Sequence, residues 1–256
     1  MAVVLVYVVA RVFGVDISGL VGGGGGAPAQ PQAPSHAQPP AGPDPEAETV
    51  DFIRFVMKDI QDTFAAKFKA EGKTYRRAKL ILFSSAIDTG CGRSSSAVGP
   101  FYCPPDEHAY IDLSFYRELR QRFGAPGDFA QAYVLAHEMG HHLQKIERLD
   151  QQVRRSGVDR KGAAGASVRQ ELQADCYAGV WGHSADVRKL LEIGDLEKAL
   201  TAATAIGDDR LQKQAGRRVN PETFTHGTSE QRVRWFRKGY TTGHLESCDT
   251  FSVEEP

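Results

Sequence analysis

Net charge is almost absent from this sequence: 31 basic residues against 32 acidic ones leave a formal charge of −1. A chain so balanced has no electrostatic footprint for nucleic acid, which is therefore not expected among its partners. Cysteine is scarce as well, at four in 256 residues. That number permits two disulfides without requiring them. With 41% hydrophobic residues the chain has enough core for one ordinary domain plus appendages, without such staples. Long uninterrupted apolar runs are missing too. The nearest approach is the N-terminal MAVVLVYVVARVFGVDISGL, broken by Arg11 and Asp16. With Arg11 tolerated, it approaches the roughly 20 residues that a spanning helix needs. No basic region precedes it and no clean small-residue cleavage site follows. Residues 1–21 thus read as a signal anchor whose cytoplasmic flank is missing from the sequence, with an element packed on the domain as the alternative. Residues 22–45, GGGGGAPAQPQAPSHAQPPAGPDP, lack large apolar side chains almost entirely. Such a stretch cannot bury enough surface to offset its ordering entropy, so it reads as a flexible linker.

What is present begins near Glu46, and residues 46–256 read as the folded domain. Phe52, Ile53, Val56, Ile60, Phe64 and Phe68 recur at spacings of three and four, which predicts an amphipathic helix over Ala47 to Glu71. Residues 78–83 and 109–113 read as strands, separated by a glycine- and serine-rich loop with Cys91 and Cys103 at its ends. A disulfide there would fix the approach between the strands. Ser114 is expected to cap a helix running from Phe115 to Phe123, and Asp128 to start the next one. The polar stretch from Asp150 to Ala166 reads as an exposed, mobile loop.

The chemistry concentrates in that next helix. His137-Glu138-Met139-Gly140-His141 is His-Glu-x-x-His inside a run of good helix formers. Four residues turn a helix through about 400°, so the two imidazoles fall roughly 40° apart and about 6 Å along the axis, within reach of one metal ion. Glu138 sits beside the first histidine, where it can act as base without being a ligand. The same pattern arises by chance in many sequences. Here, however, it interrupts an apolar stripe that continues through Leu143, Ile146 and Leu149, and polar groups in a core element need a partner. A second helical stretch, Val168 to Ala178, places Glu171 and Asp175 one turn apart on one face. Glu171 is the candidate third ligand, and Asp175 the group that accepts a hydrogen bond from the outer nitrogen of a ligating histidine. The alternative is a pair of solvated acids. Cys176 is turned roughly 140° from Glu171 on the same helix, so it is not expected at the metal. A bridge from Cys176 to Cys248 would tie down the C-terminal tail and suit an oxidising compartment; reduced buried cysteines are the alternative. His142 points about 100° away from His141 and is left out of the site.

Four stretches in order, AVGPFYCPPDEHAYIDLSF, VLAHEMGHHLQ, ELQADCYAGVW and FTHGTSEQRVRWFRKGY, resemble the neutral zinc metallopeptidase family of the YpfJ type over most of residues 46 to 250. The resemblance implies a gluzincin-like site with one zinc per chain, His137, His141 and Glu171 as ligands and Glu138 as base. The chain departs from the family pattern at its N-terminus, where a charged stretch before the apolar segment is absent. Thr225-His226-Gly227 is similar to the Thr-His-Pro segment that precedes the last helix of related membrane-associated gluzincins. That likeness implies a place for His226 near the metal, as a donor to the oxyanion or as occupant of the open coordination position; a surface cap is the alternative. Arg232 can pair with Asp175 or Glu171, or else share the solvated face of the basic run Arg232, Arg234, Arg237 and Lys238.

The expected fold is α+β, mainly helical and zincin-like, with a small β-sheet. The expected function is a zinc-dependent endopeptidase acting on a peptide or protein substrate, with the strand 109–113 as the edge that holds an extended peptide. The expected setting is membrane-anchored with the catalytic domain extracytoplasmic, on the periplasmic or cell-surface side, or secreted. A silent zinc-containing scaffold and a zinc hydrolase of cell-wall amides are the competing functions.

Overall fold

An apolar residue at every third or fourth position makes a helix that can bury only one side. The helix α1 (Ala47–Ala70) does this, burying Ile53, Val56, Ile60, Phe64 and Phe68. The helix α2 (Asp128–Ile146) is of another kind: every residue from Phe129 to Gly140 is buried. A helix covered all round lies at the centre of a core. In the computed structural model, which describes residues 46–95, 99–115, 127–149, 161–216 and 218–256, α2 is wrapped by α1, α3 (Ala166–Val187) and α4 (Asp195–Ala205). The short α5 (Asp208–Gln214) leads to α6 (Ser229–Thr242), which packs along α3. Thr228 caps α6 through a reciprocal pair with Gln231, and Gly243, at a φ of 68°, ends it.

The strands form a three-stranded sheet in the order β1 (Lys79–Phe83), β5 (His108–Asp112), β4 (Phe101–Cys103), and a separate antiparallel hairpin of β2 (Ala86–Thr89) and β3 (Gly92–Ser95). The fold is thus α+β and mainly helical. β5 pairs parallel with β1, Ile81 opposite Tyr110, and antiparallel with β4, Tyr102 opposite Ala109. This corrects the expectation that residues 109–113 form an edge. β5 is the central strand, and β4 is an edge among the described residues, lying against α2. Three residues are too few to show a period, which hid β4 from the sequence. The glycine- and serine-rich loop also holds more order than its composition suggests, because β2 and β3 pair across the Gly90-Cys91 turn. Helical residues begin at Leu113, where the Asp112 carboxylate accepts from the backbone N–H of Ser114 at 2.7 Å. Among the described residues the acceptor at this helix start is Asp112, two residues before the expected Ser114.

Two disulfides are present, Cys91–Cys103 and Cys176–Cys248. The described residues belong to one compact unit, and no helix among them is long and apolar enough to cross a membrane. The expected anchor (1–21), the linker (22–45), residues 116–123 of the expected helix and residues 150–160 of the expected loop lie outside the described residues.

Candidate metal centre

Two close helix crossings bring the site together, and glycine makes both possible. A Cβ on Gly140 would lie 2.7 Å from Cα of Ala174, so α2 and α3 touch backbone to backbone between His141 and Glu171. A Cβ on Gly239 would lie 1.9 Å from the carbonyl oxygen of Cys176, which sets α6 equally close to α3. Glycine costs a helix about 1 kcal/mol relative to alanine; here it allows side chains from three helices to meet.

His137, His141 and Glu171 then converge, with one ligand atom of each within 4.8 Å of the others. Nε2 of His137 lies 3.1 Å from Glu171 Oε2, and Nε2 of His141 lies 3.5 Å from Oε1. Behind His137 is Asp175, with no exposed surface, whose Oδ1 is 2.8 Å from Nδ1 of His137. A carboxylate only accepts, so Nδ1 carries the proton and Nε2 faces the shared point. Asp175 also accepts from the Tyr133 hydroxyl at 2.5 Å, and from Nε and Nη2 of Arg232 at 2.8 and 2.9 Å. Arg232 is 1% exposed. It leaves the solvated face of the basic run because the Asp175 charge lies within the crossing of α3 and α6. Arg234, Arg237 and Lys238 remain on that face, with the Lys238 ammonium over the Trp235 ring.

The electrostatics fit a cation. Burial works against a charge on His137, but Asp175 and Glu171 outweigh it and push the imidazole up to about 10. Burial likewise opposes a charge on Glu171, yet the two histidines hold its carboxyl well below the usual range. A cluster that retains protons on imidazole so strongly is one in which a metal ion can replace them. Two nitrogens and one carboxylate oxygen are the donor set of a catalytic zinc centre, and these residues fit that ion.

Glu138 is buried and turned toward the same cleft; burial raises its carboxyl, with His137 and His141 opposing. It accepts from the backbone N–H of Tyr102, which ties it to β4. His226 lines the same cleft, its side chain 49% exposed. Its Nδ1 lies 3.3 Å from Oδ1 of Asp208, whose Oδ2 accepts from the backbone N–H groups of Thr225, His226 and Gly227. The hydrogen bond to Asp208 raises the imidazole above its ordinary value, against burial. The structure thus gathers His137, Glu138, His141, Glu171, His226 and Arg232 on one cleft of about 590 Å³. Cys176 takes no part, since its sulfur is joined to Cys248.

Two further groups, Asp208 and Gln144, escaped the sequence reading, and His142, which it leaves out of the metal site, has a bracing role of its own. His142, turned away from the metal, accepts at Nδ1 from the Tyr102 hydroxyl at 2.9 Å and donates from Nε2 to the Arg76 carbonyl at 2.6 Å, so it braces β4 on α2. Asp208 holds the His226 loop. Gln144 stands behind His141 at 3.0 Å. For His142 and Gln144 the only available signal was an uncharged polar side chain on an otherwise apolar helix.

A family model described as "Putative neutral zinc metallopeptidase" matches residues 1–251. The chain is similar to the protein YpfJ of Escherichia coli K12, with 46% identity over 249 residues, 96% of this chain and 84% of the relative. It is also similar to the protein Rv2575 of Mycobacterium tuberculosis H37Rv, with 48% identity over 192 residues, 71% of this chain and 64% of that relative. No solved structure matches it.

Proposed function

Because the chain belongs to the neutral zinc metallopeptidase family, we propose that it is a zinc-dependent endopeptidase with Glu138 as general base. The observation that carries this reading is the placement of a buried carboxylate, Glu138, on the same cleft as the converged His137, His141 and Glu171. A purely structural metal site has no use for such a group. His137, His141 and Glu171 would hold the zinc ion, which supplies polarisation of the scissile carbonyl and activation of water at neutral pH.

The chain's own residues do the rest. Glu138 takes the proton of the attacking water and delivers it to the leaving amine. Its raised carboxyl, shielded from solvent, suits both steps. His226, on the same cleft, donates to the developing oxyanion, and Asp208 holds its imidazole protonated further into the neutral range than an ordinary histidine. Activity should therefore decline on the alkaline side as His226 loses its proton. An extended substrate lies along β4, an edge of the three-stranded sheet among the described residues, while Phe115, Val134, Ile206 and Leu211 offer apolar contacts to its side chains. Contact along a strand edge makes little demand on side chains and gives broad specificity. Two disulfides, one with Cys91 exposed, suit an oxidising compartment. On this reading the folded domain works outside the cytoplasm, and residues 1–21 would tether it to a membrane through the 22–45 linker.

The test is hydrolysis of an unstructured protein by the zinc-loaded full chain beside Glu138→Gln. The variant should keep its zinc and lose roughly 10²–10⁴-fold in rate. Equal rates in the two proteins would remove Glu138 from the chemistry and leave a zinc-containing scaffold.

A further inference from the structure

His141 differs from His137 in having, among the described residues, no carboxylate behind it. Its Nδ1 meets Oε1 of Gln144 at 3.0 Å, and an amide can turn either end toward a neighbour, so this contact alone does not say which atom donates. Two backbone carbonyls decide the matter. Nε2 of Gln144 lies 2.7 Å from the carbonyl oxygen of Gln170, and Nε2 of Gln173 lies 3.1 Å from that of Cys248. A carbonyl only accepts, so each amide nitrogen is fixed toward the backbone and each amide oxygen must face the other way. Oε1 of Gln173 then accepts from Nε2 of Gln144 at 3.0 Å, and Oε1 of Gln144 accepts from His141. A proton of His141 is thereby placed on Nδ1, which leaves Nε2, the atom that faces Glu171, as the one to bind a metal.

We infer that Gln144 and Gln173 form a positioning relay that holds His141 in the tautomer able to bind metal through Nε2. The inference rests on the zinc reading of the site and adds to it the groups that orient the second histidine. Both glutamines are buried, at 3% and 4% exposure, so their amide groups call for protein partners. The far end of the relay is covalently secured, because Cys248 is joined by its disulfide to Cys176 on α3, the helix that also carries Gln170, Glu171 and Gln173. The relay also completes a division of labour. Asp175 orients His137 with a negative charge that raises the ring's basicity, whereas Gln144 orients His141 with a neutral dipole. The site thus gains a second fixed imidazole without a further buried charge beside Glu138, Glu171 and Asp175.

The experiment is zinc affinity of the full chain by competition with a chromophoric chelator, alongside the melting temperature of the metal-free protein. Gln144→Leu keeps the volume and removes the acceptor; its affinity should fall by roughly 10–100-fold. Gln144→Glu keeps an acceptor for the Nδ1 proton but loses both donors, so its melting temperature should drop while its zinc affinity stays within about threefold of the parent. A role in packing alone would make the two variants equally poor in both measurements, and that result would overturn the relay. Gln173→Leu removes only the far link and should weaken zinc by several-fold; should Gln144→Leu fail to fold, unchanged affinity in Gln173→Leu overturns the relay by itself. A parent chain that binds zinc while Gln144→Leu binds it equally well refutes the relay and spares the metal site. A parent that takes up no zinc refutes the metal reading itself and the relay with it.

Discussion

The two walls of the cleft are built to different standards. On the helical wall, α2, α3 and α6 meet backbone to backbone at Gly140 and Gly239, and the charges between them are buried: Asp175 at 0% exposure and Arg232 at 1%. The disulfide behind this wall has both sulfur-bearing residues at 0%. On the strand wall, β4 is three residues long, and its disulfide partner Cys91 is exposed at the tip of an exposed hairpin. The groups that would hold a metal and move a proton are thus fixed by close packing, and the surface that would receive a peptide hangs on a few backbone bonds, one disulfide and the His142 brace. Residues that must keep sub-ångström geometry sit where nothing can shift, and the receiving edge is left freer to adjust.

The largest effect that would break this contrast belongs to the buried ion pair. Arg232→Met should cost about 3–5 kcal/mol, because Asp175 would keep its charge with its cationic partner gone. Thermal denaturation checks this, and Arg232→Met with Asp175→Asn together should recover part of the loss. Next is Gly239→Ala, whose new methyl must push α6 off the Cys176 carbonyl; about 3 kcal/mol is expected, at the upper end for overpacking, together with weaker zinc binding as α3 moves. An unaltered melting temperature would show that the helices are not as tightly seated as described.

The strand wall should respond in another currency. Replacing Cys91 and Cys103 with serine should cost about 2 kcal/mol, raise KM several-fold and leave zinc affinity unchanged. Equal loss of zinc affinity would mean that the two walls are not separable. The smallest effect sharpens the comparison on the helical side. The Asp59 carboxylate of α1 accepts from Trp181 Nε1 of α3 at 2.8 Å and from Arg188 just beyond that helix. Burial would raise its carboxyl, but the bonds from Arg188 and Trp181 outweigh burial and lower it. A depressed carboxyl contributes stability that is fully present above its ordinary value near 4 and is lost as pH falls through the lower folded value. Asp59→Asn should therefore lower stability modestly at neutrality and flatten the acid limb of the stability–pH profile below about pH 4, where parent and variant converge.

Much of the helical wall was legible because it obeys one period. His137, Glu138 and His141 can be placed on a face by counting residues within α2, and Glu171 and Asp175 by counting within α3. What counting cannot supply is the relation between elements. Arg232 belonged in sequence to a basic run, and only the crossing at Gly239 reveals that it points inward. Gln144 needed partners 26 and 29 residues away to acquire a direction. On the strand wall the local signal itself was poor. β5 has a clear pattern that reads as an edge, while the three residues of β4 have none.

The central claim is that His137, His141 and Glu171 hold one zinc ion. The most direct measurement is zinc per purified full chain by atomic emission, after reconstitution and removal of loosely bound metal, for the parent and Glu171→Ala. About one zinc in the parent and clear loss in the variant is the predicted result. A parent without zinc, or a variant that holds it as firmly as the parent, would contradict the account.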